Sequence, residues 1–226
     1  MRRVWIVGGV LALIAVVGAG LLAGTKRITE PVIDANLRAD RLAQLHELIP
    51  DGRYDNRLLR DTIRVRDPAY LGTTEPVTVY RARSADEPVA LAFRTVAPDG
   101  YNGRIELLVA IWVDGELAGV RAITHAETPG LGDQISRAKS DWITQFKGHR
   151  MGEPPFEQWK VRKDNGVFDQ ITGATITSRA VVKAVRRALR FYELRGPDKL
   201  FAQGGPVAVK GEARSGGEPT NKGEGP

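Results

Sequence analysis

Residues 105–123 read IELLVAIWVDGELAGVRAI, and the architecture follows from how this stretch pairs with itself. β-Branched and apolar residues crowd both sides of an Asp114-Gly115 pair, the pattern of two strands folded back on each other. A type I′ turn needs positive φ at both central positions, and Gly115 supplies one without steric cost. The reading is therefore a two-residue hairpin at Asp114-Gly115 joining Ile105–Val113 to Glu116–Ile123 in antiparallel pairing. The first arm is apolar at both parities, which predicts a central strand covered on both faces.

Two further runs upstream, Val77–Arg83 and Val89–Val96, carry the same composition between Gly, Pro and Asp punctuation and read as strands. Downstream, Thr177–Tyr192 sets Val181, Val185, Ala188, Leu189 and Tyr192 on one side and Lys183, Arg186, Arg187 and Arg190 on the other. That is an amphipathic helix whose basic stripe is expected to be a solvated face. Glu30–Ile49 places Ile33, Leu37, Leu45, Leu48 and Ile49 at mostly helical spacing, with Pro31 near the start and Pro50-Asp51-Gly52 as the stop. The expected class is α+β: an antiparallel sheet with packed helices, preceded by a single N-terminal transmembrane helix.

That last element comes from Val4–Gly24, a run of 21 residues without a charge. As a helix rising ~1.5 Å per residue it matches a hydrocarbon core of about 30 Å. It exceeds the ~7–15 apolar residues of a cleaved signal sequence, so a retained anchor is expected over residues 1–27. A lipidated start is excluded, because Thr25 stands where the modified cysteine would be. The N-terminus is placed in the cytoplasm and the body outside, single-pass in a bacterial inner membrane with the soluble domain on the periplasmic side. Residues 28–202 form the folded body. Residues 203–226, with seven glycines and three prolines, are expected to be a disordered tail.

The chain has 226 residues, no cysteine and a formal charge of +6. Thiolate-held iron–sulfur clusters, thiol nucleophiles and cysteine-rich zinc sites are excluded. Four of the positive charges, Arg2, Arg3, Lys26 and Arg27, flank the apolar run, and the tail is balanced. The body is thus nearly neutral and carries no footprint for nucleic acid. His46, His125 and His149 are too scattered to suggest a metal site.

Chemistry concentrates in residues 168–178, FDQITGATITS, just before the last long helix. Read plainly it is the start of a helix: Gly173 permits a turn, and Thr175, Thr177 or Ser178 can cap the first amides. A hydroxyl there has a second use, since free N–H groups and the helix dipole favour a phosphate.

The run from Asp169 through Thr172-Gly173-Ala174-Thr175 resembles the flavinylation motif of FMN-binding-domain proteins. Within that family, residues 100–111, Asp114-Gly115, residues 125–135 and Ser140–Ile143 resemble the G subunits of Rnf electron-transport complexes. The resemblance implies that Thr175 carries a covalent FMN through a phosphoester made by a flavin transferase. Asp169, Thr172, Gly173 and Ala174 would be the local recognition sequence, with Thr177 beside them. It also implies that the loop Glu127, Thr128, Gly130, Leu131 and Gly132 approaches the flavin, although taken alone those residues read as a tight turn. His125, at a strand end, is expected to make an ordinary hydrogen bond. Trp112, Trp142 and Trp159 could stand beside the ring or in the core, and the sequence leaves both open.

The resemblance implies a membrane-anchored electron-transfer subunit of an ion-translocating oxidoreductase that passes electrons between ferredoxin and NAD. Its partners would be the other membrane subunits of the complex. The chain lacks a dinucleotide-binding glycine fingerprint, so no independent dehydrogenase site and no acid, base or turnover nucleophile is assigned. Two alternatives stand beside this: the C subunit of a sodium-translocating NADH:quinone reductase, and a flavin-free anchored binding module whose threonines merely cap a helix.

Overall fold

The structure is a computed structural model, and it describes residues 2–202. Some side chains of the first helix fall outside that description, part of the anchor read from residues 4–24 among them, and the tail at 203–226 lies outside the described residues. Among the described residues, no helix is long and apolar enough to cross a membrane. The chain divides into two compact units after Gly52.

The first unit is dominated by one helix, α1 (Arg2–His46), of 45 residues. The expected helix Glu30–Ile49 is the C-terminal part of α1, ending at His46, and no break marks residue 27 or Pro31. Proline removes one intrahelical N–H and crowds the carbonyl four residues back, costs that a helix of this length carries without ending.

The second unit is built on an antiparallel meander of five strands: β1 (Thr62–Val65), β2 (Val77–Ser84), β3 (Glu87–Gly100), β4 (Gly103–Trp112) and β5 (Leu117–Thr124). Strand order follows chain order, each neighbour pairing antiparallel. Four strands were legible in the sequence. β1 was not, because it is a four-residue edge strand in which only Ile63 and Val65 point inward.

The turns correct the hairpin reading. Between β4 and β5 the Gly115 N–H donates to Trp112 O (2.9 Å), and Gly115 has positive φ while Asp114 does not. The link is a three-residue loop, Val113 to Gly115, with Asp114 Oδ1 accepting the Glu116 N–H (3.1 Å). The two-residue turn with positive φ at both positions joins β2 to β3 instead, at Ala85 (49°) and Asp86 (66°). Neither residue is a glycine, so no local signal announces it.

β4 buries both faces, as expected, but the middle place in the sheet belongs to β3. Leu91 pairs with Ile111 and Phe93 with Val109, which sets these four side chains on one face. That face meets α3 (Thr175–Arg195), where the Phe93 and Phe191 rings lie edge-on with centroids 5.3 Å apart. The opposite face buries the small residues Ala90, Ala92 and Ala110.

α3 starts two residues earlier than the periodicity suggested and stops at Gly196, ahead of Pro197. Its basic stripe is not simply solvated. Lys183 pairs with Asp99 (2.6 Å), Arg187 donates to Val96 O (2.9 Å), Arg186 lies over the Phe156 ring and Arg190 pairs with Glu193. Burial alone would raise the Asp99 carboxyl, but the Lys183 hydrogen bond, a backbone hydrogen bond and the charges of Lys183 and Arg187 together override it and hold that group below its ordinary range.

Two short helices flank α3: α2 (Pro68–Leu71) and α4 (Pro197–Phe201). α2 ends on Gly72, where a Cβ would lie 2.0 Å from Val96 O. Residues 125–174 carry four single 3₁₀ turns and little other regular structure. They are organised by rings: Trp142, Phe146, Phe168 and Trp159 follow one another with centroids 5.7, 5.0 and 4.8 Å apart.

Candidate functional site

The N-terminus of α3 opens on a cavity of about 540 Å³. One wall is the motif: Gly173, Ala174, Thr175, Ile176 and Thr177. The facing wall is the loop after β5: Glu127, Thr128, Leu131 and Gly132. The two segments singled out in the sequence, some fifty positions apart, therefore meet around one space. Tyr101, from the turn between β3 and β4, and Lys163, from the 3₁₀ turn Arg162–Asp164, complete the lining.

What brings the loop to the helix is Glu127. Its carboxylate is buried, and it accepts from the Thr177 hydroxyl (2.5 Å) and from the Asn102 N–H (3.2 Å). Asn102 Nδ2 also donates to Thr128 Oγ1 (3.1 Å). One acid thus ties the β3–β4 turn, the loop and the first turn of α3 together. Gly132 lets the loop close: a Cβ there would lie 2.7 Å from Glu127 Oε2 and 3.1 Å from Thr177 Oγ1. Gly173 has φ +80°, and a Cβ on it would press Leu131 at 3.1 Å, so the motif glycine serves both the turn and the loop's approach.

The threonines divide their work. Thr177 is fully buried and committed to Glu127. Ser178 accepts from the Ile171 N–H (3.0 Å) and donates to Ala174 O (3.0 Å), bracing the turn from behind. Thr175 is half-buried on the cavity wall. No side chain caps α3, so the capping expected of Thr175, Thr177 or Ser178 is absent. Among the described residues the first-turn N–H groups therefore have no side-chain acceptor.

Three carried-over residues stand off the cavity wall. Asp169 is exposed, ion-paired with Arg162 (3.1 Å), while its carbonyl accepts from Trp142 Nε1 (2.8 Å). Thr172 is exposed beside Gly173, and Gly130 shapes the loop with φ +78°. His125 makes the ordinary contacts expected of it: Nδ1 accepts the Glu127 N–H (3.3 Å), which leaves Nε2 to donate to Ser136 Oγ (2.8 Å). Trp112, Trp142 and Trp159 are not among the lining residues, and Trp159 is core, 1% exposed.

Sequence reasoning missed Tyr101, Lys163 and Ile176. Tyr101 lies within residues 100–111, which carry part of the family resemblance but no assigned site role, and Lys163 lies in a charged stretch with no motif. Ile176 breaks the apolar periodicity of α3, being 49% exposed at the cavity mouth, and that break was the available signal.

The residues fit a flavin nucleotide. The volume lies within the roughly 300–1,000 Å³ of small-molecule sites. An uncapped helix N-terminus and one lysine suit a phosphate, and Leu131 and Ile176 offer apolar cover for a flat ring.

The FMN-binding domain family matches residues 100–190, a span that contains every residue lining the cavity. The RnfG N-terminal region matches residues 1–48. The G subunit of the ion-translocating oxidoreductase complex of Shewanella baltica is 46% identical over 185 residues, covering 82% of this chain and 87% of that one. Its namesake from Pseudomonas aeruginosa is 45% identical over 183 residues, covering 81% and 86%. Among solved structures, the C subunit of the Na(+)-translocating NADH-quinone reductase of Parabacteroides distasonis is similar at 23% identity and a TM-score of 0.42, covering 61% of this chain and 69% of that one. At 46% identity with such a relative, over more than four fifths of its length, the chain belongs to the family of G subunits of ion-translocating oxidoreductase complexes, with an FMN-binding domain over residues 100–190.

Proposed function

We propose that the FMN of this Rnf-type electron-transfer subunit is held covalently, through a phosphoester to Thr175. The observation that carries the reading is the place of that hydroxyl: first residue of α3, on the wall of the cavity, beside uncapped amides and opposite the loop braced by Glu127. Thr177 and Ser178, the neighbouring hydroxyls of α3, are already committed to Glu127 and to the turn, which leaves Thr175 as the uncommitted hydroxyl of that helix start on the cavity wall.

The bound isoalloxazine would supply the redox chemistry, one or two electrons at a time. The chain's own residues bind and orient. The α3 amides and Lys163 hold negative charge, Leu131 and Ile176 cover apolar ring surface, and Glu127 fixes the distance between the walls. No residue here needs to act as a turnover acid or base, so Thr175 is an attachment point, and dehydrogenase chemistry and the ion path are assigned to partner subunits.

The proposal extends to the setting: residues 4–24 anchor the chain in a bacterial inner membrane, the body lies on the periplasmic side, and a flavin transferase matures it. Electrons then pass along the complex between ferredoxin and NAD. Outside the cytoplasm a reversibly bound flavin would be lost by mass action, and a covalent bond removes that loss.

The test is intact mass with peptide mapping of protein made alongside a flavin transferase. The expected result is one FMN adduct on the peptide containing Thr175, lost in Thr175→Ala while that variant stays folded. A covalent flavin retained by Thr175→Ala would show that another side chain is the acceptor.

A further inference from the structure

The cavity is lined by one acid and one base, Glu127 and Lys163. Glu127 is spent on Thr177 and Asn102. The charges beside Lys163 are spent as well: Arg162 pairs with Asp169 (3.1 Å), and Asp164 takes two hydrogen bonds from Arg179, each 2.6 Å. Among the described residues, the Lys163 ammonium has no carboxylate partner.

Its backbone, by contrast, is tightly held. The 3₁₀ turn Arg162–Asp164 closes on Asn165, in the left-handed region at φ 61°, whose N–H donates to Arg162 O (3.0 Å). The Lys163 N–H donates to Gln170 Oε1 (3.3 Å). Gly166 lies so close to the chain at Lys160 that a Cβ there would be 1.9 Å from Lys160 O. Val161 and Phe168 bridge across the base of this loop. A hydrogen-bonded loop therefore presents to the cavity, whose other wall is the start of α3, an exposed lysine that makes no ion pair among the described residues, its charge felt by Asp164 only at longer range.

We infer that Lys163 is the counter-cation of the flavin's phosphodiester, pairing with the single negative charge left on phosphorus once Thr175 is esterified. The inference rests on the reading of Thr175 as the attachment residue. Lys163 is a positioning residue: it touches the phosphate and leaves the electrons to the ring.

The experiment uses the full chain in detergent, loaded from flavin adenine dinucleotide by a limiting amount of flavin transferase, the Thr175 oxygen giving up its proton and displacing AMP from the pyrophosphate, and compares wild type with Lys163→Gln and Lys163→Arg. A surface charge pair shifts an equilibrium about two- to fivefold, and salt near 1 M removes most of it. Lys163→Gln is expected to load about two- to fivefold more slowly at low salt, with the deficit closing at high salt, and Lys163→Arg to load as wild type does. The rise in melting temperature on loading should also be smaller in Lys163→Gln than in wild type at low salt, with the unloaded proteins melting together. Equal loading by Lys163→Gln, a deficit indifferent to salt, or a failure of Lys163→Arg to restore it overturns the inference. So does slow loading combined with a wild-type rise in melting temperature, which would place the ammonium against the transferase. An altered flavin potential with unchanged loading would place it against the ring and overturn the inference equally. If the wild-type peptide carrying Thr175 stays unmodified, the Thr175 reading falls and this one with it. A modified wild-type peptide beside an indifferent Lys163→Gln removes this inference alone.

Discussion

Replacing Thr177 by valine removes one hydroxyl from the joint between α3 and the loop after β5 and leaves the shape almost unchanged. In the native fold that hydroxyl donates to Glu127 Oε2 at 2.5 Å, with Thr177 fully buried and Glu127 5% exposed. Without it, the Asn102 N–H at 3.2 Å is the remaining described donor to the carboxylate. A hydrogen bond to a charged group contributes about 1.5–3 kcal/mol, and stranding a buried acceptor costs at the upper end of such ranges. Valine fills the space of threonine, so no cavity penalty is added. The expected destabilisation is about 2 kcal/mol, roughly thirtyfold in the folding equilibrium. With a urea slope of about 1–3 kcal/mol per molar, the unfolding midpoint should fall by about 1 M. Glu127→Gln keeps the shape: its carbonyl can accept the Asn102 N–H while its NH2 donates to the Thr177 oxygen, so it should lose less. A Thr177→Val midpoint within about 0.2 M of wild type at equal slope would refute the claim that this bond holds the cavity walls together. Flavin loading gives a second reading, since Thr175 is untouched and any loss must come through the geometry of the walls.

Two further perturbations probe the loop after β5 and the far end of α3. Gly132→Ala places a Cβ 2.7 Å from Glu127 Oε2 and should cost about 1–3 kcal/mol of stability as well as flavin loading, measured by urea titration and intact mass; wild-type values for both would show the loop free to move aside. Tyr192 donates to Val113 O (2.8 Å), and burial, followed by the charges of Asp114 and Asp198, pushes its hydroxyl from 10.0 up to about 12. The folded state therefore keeps the proton after the unfolded state has lost it, so this contribution is complete below pH 10 and drains away between about 10 and 12. Alkaline urea titrations should show wild type losing stability across that window more steeply than Tyr192→Phe; parallel curves would dismiss the effect.

Strands long enough to alternate or to run apolar were legible, and so was α3, because hydrophobic periodicity is a property of many residues at once. β1 was hidden because four residues on an edge carry only Ile63 and Val65 as signal. The turns misled because Asp114-Gly115 satisfies two turn types equally, while Ala85-Asp86 adopts positive φ with no glycine to announce it. In the site, the motif and the loop were readable as segments, and their meeting was not. That meeting depends on Glu127 reaching Thr177 across fifty positions, a pairing no local pattern records. Lys163 was invisible for the same reason, since only the folded loop shows that Arg162 and Asp164 are paired and their neighbour is not.

The cavity's form also bears on the proposed tether. Tyr101, Leu131 and Ile176 stand at its mouth 64%, 44% and 49% exposed, so a ring seated among them would keep an edge open to solvent. A site that relied on affinity alone would need to enclose most of its ligand, since ordinary pockets bury about 70–90% of it. Such enclosure would also distance the ring from any electron partner. On the proposed reading, the bond at Thr175 separates the two demands: retention no longer depends on burial, and the walls are free to leave one edge of the flavin within reach of a neighbouring subunit. A Thr175→Ala chain should then bind free FMN weakly despite intact walls, because those walls were never required to hold it by themselves.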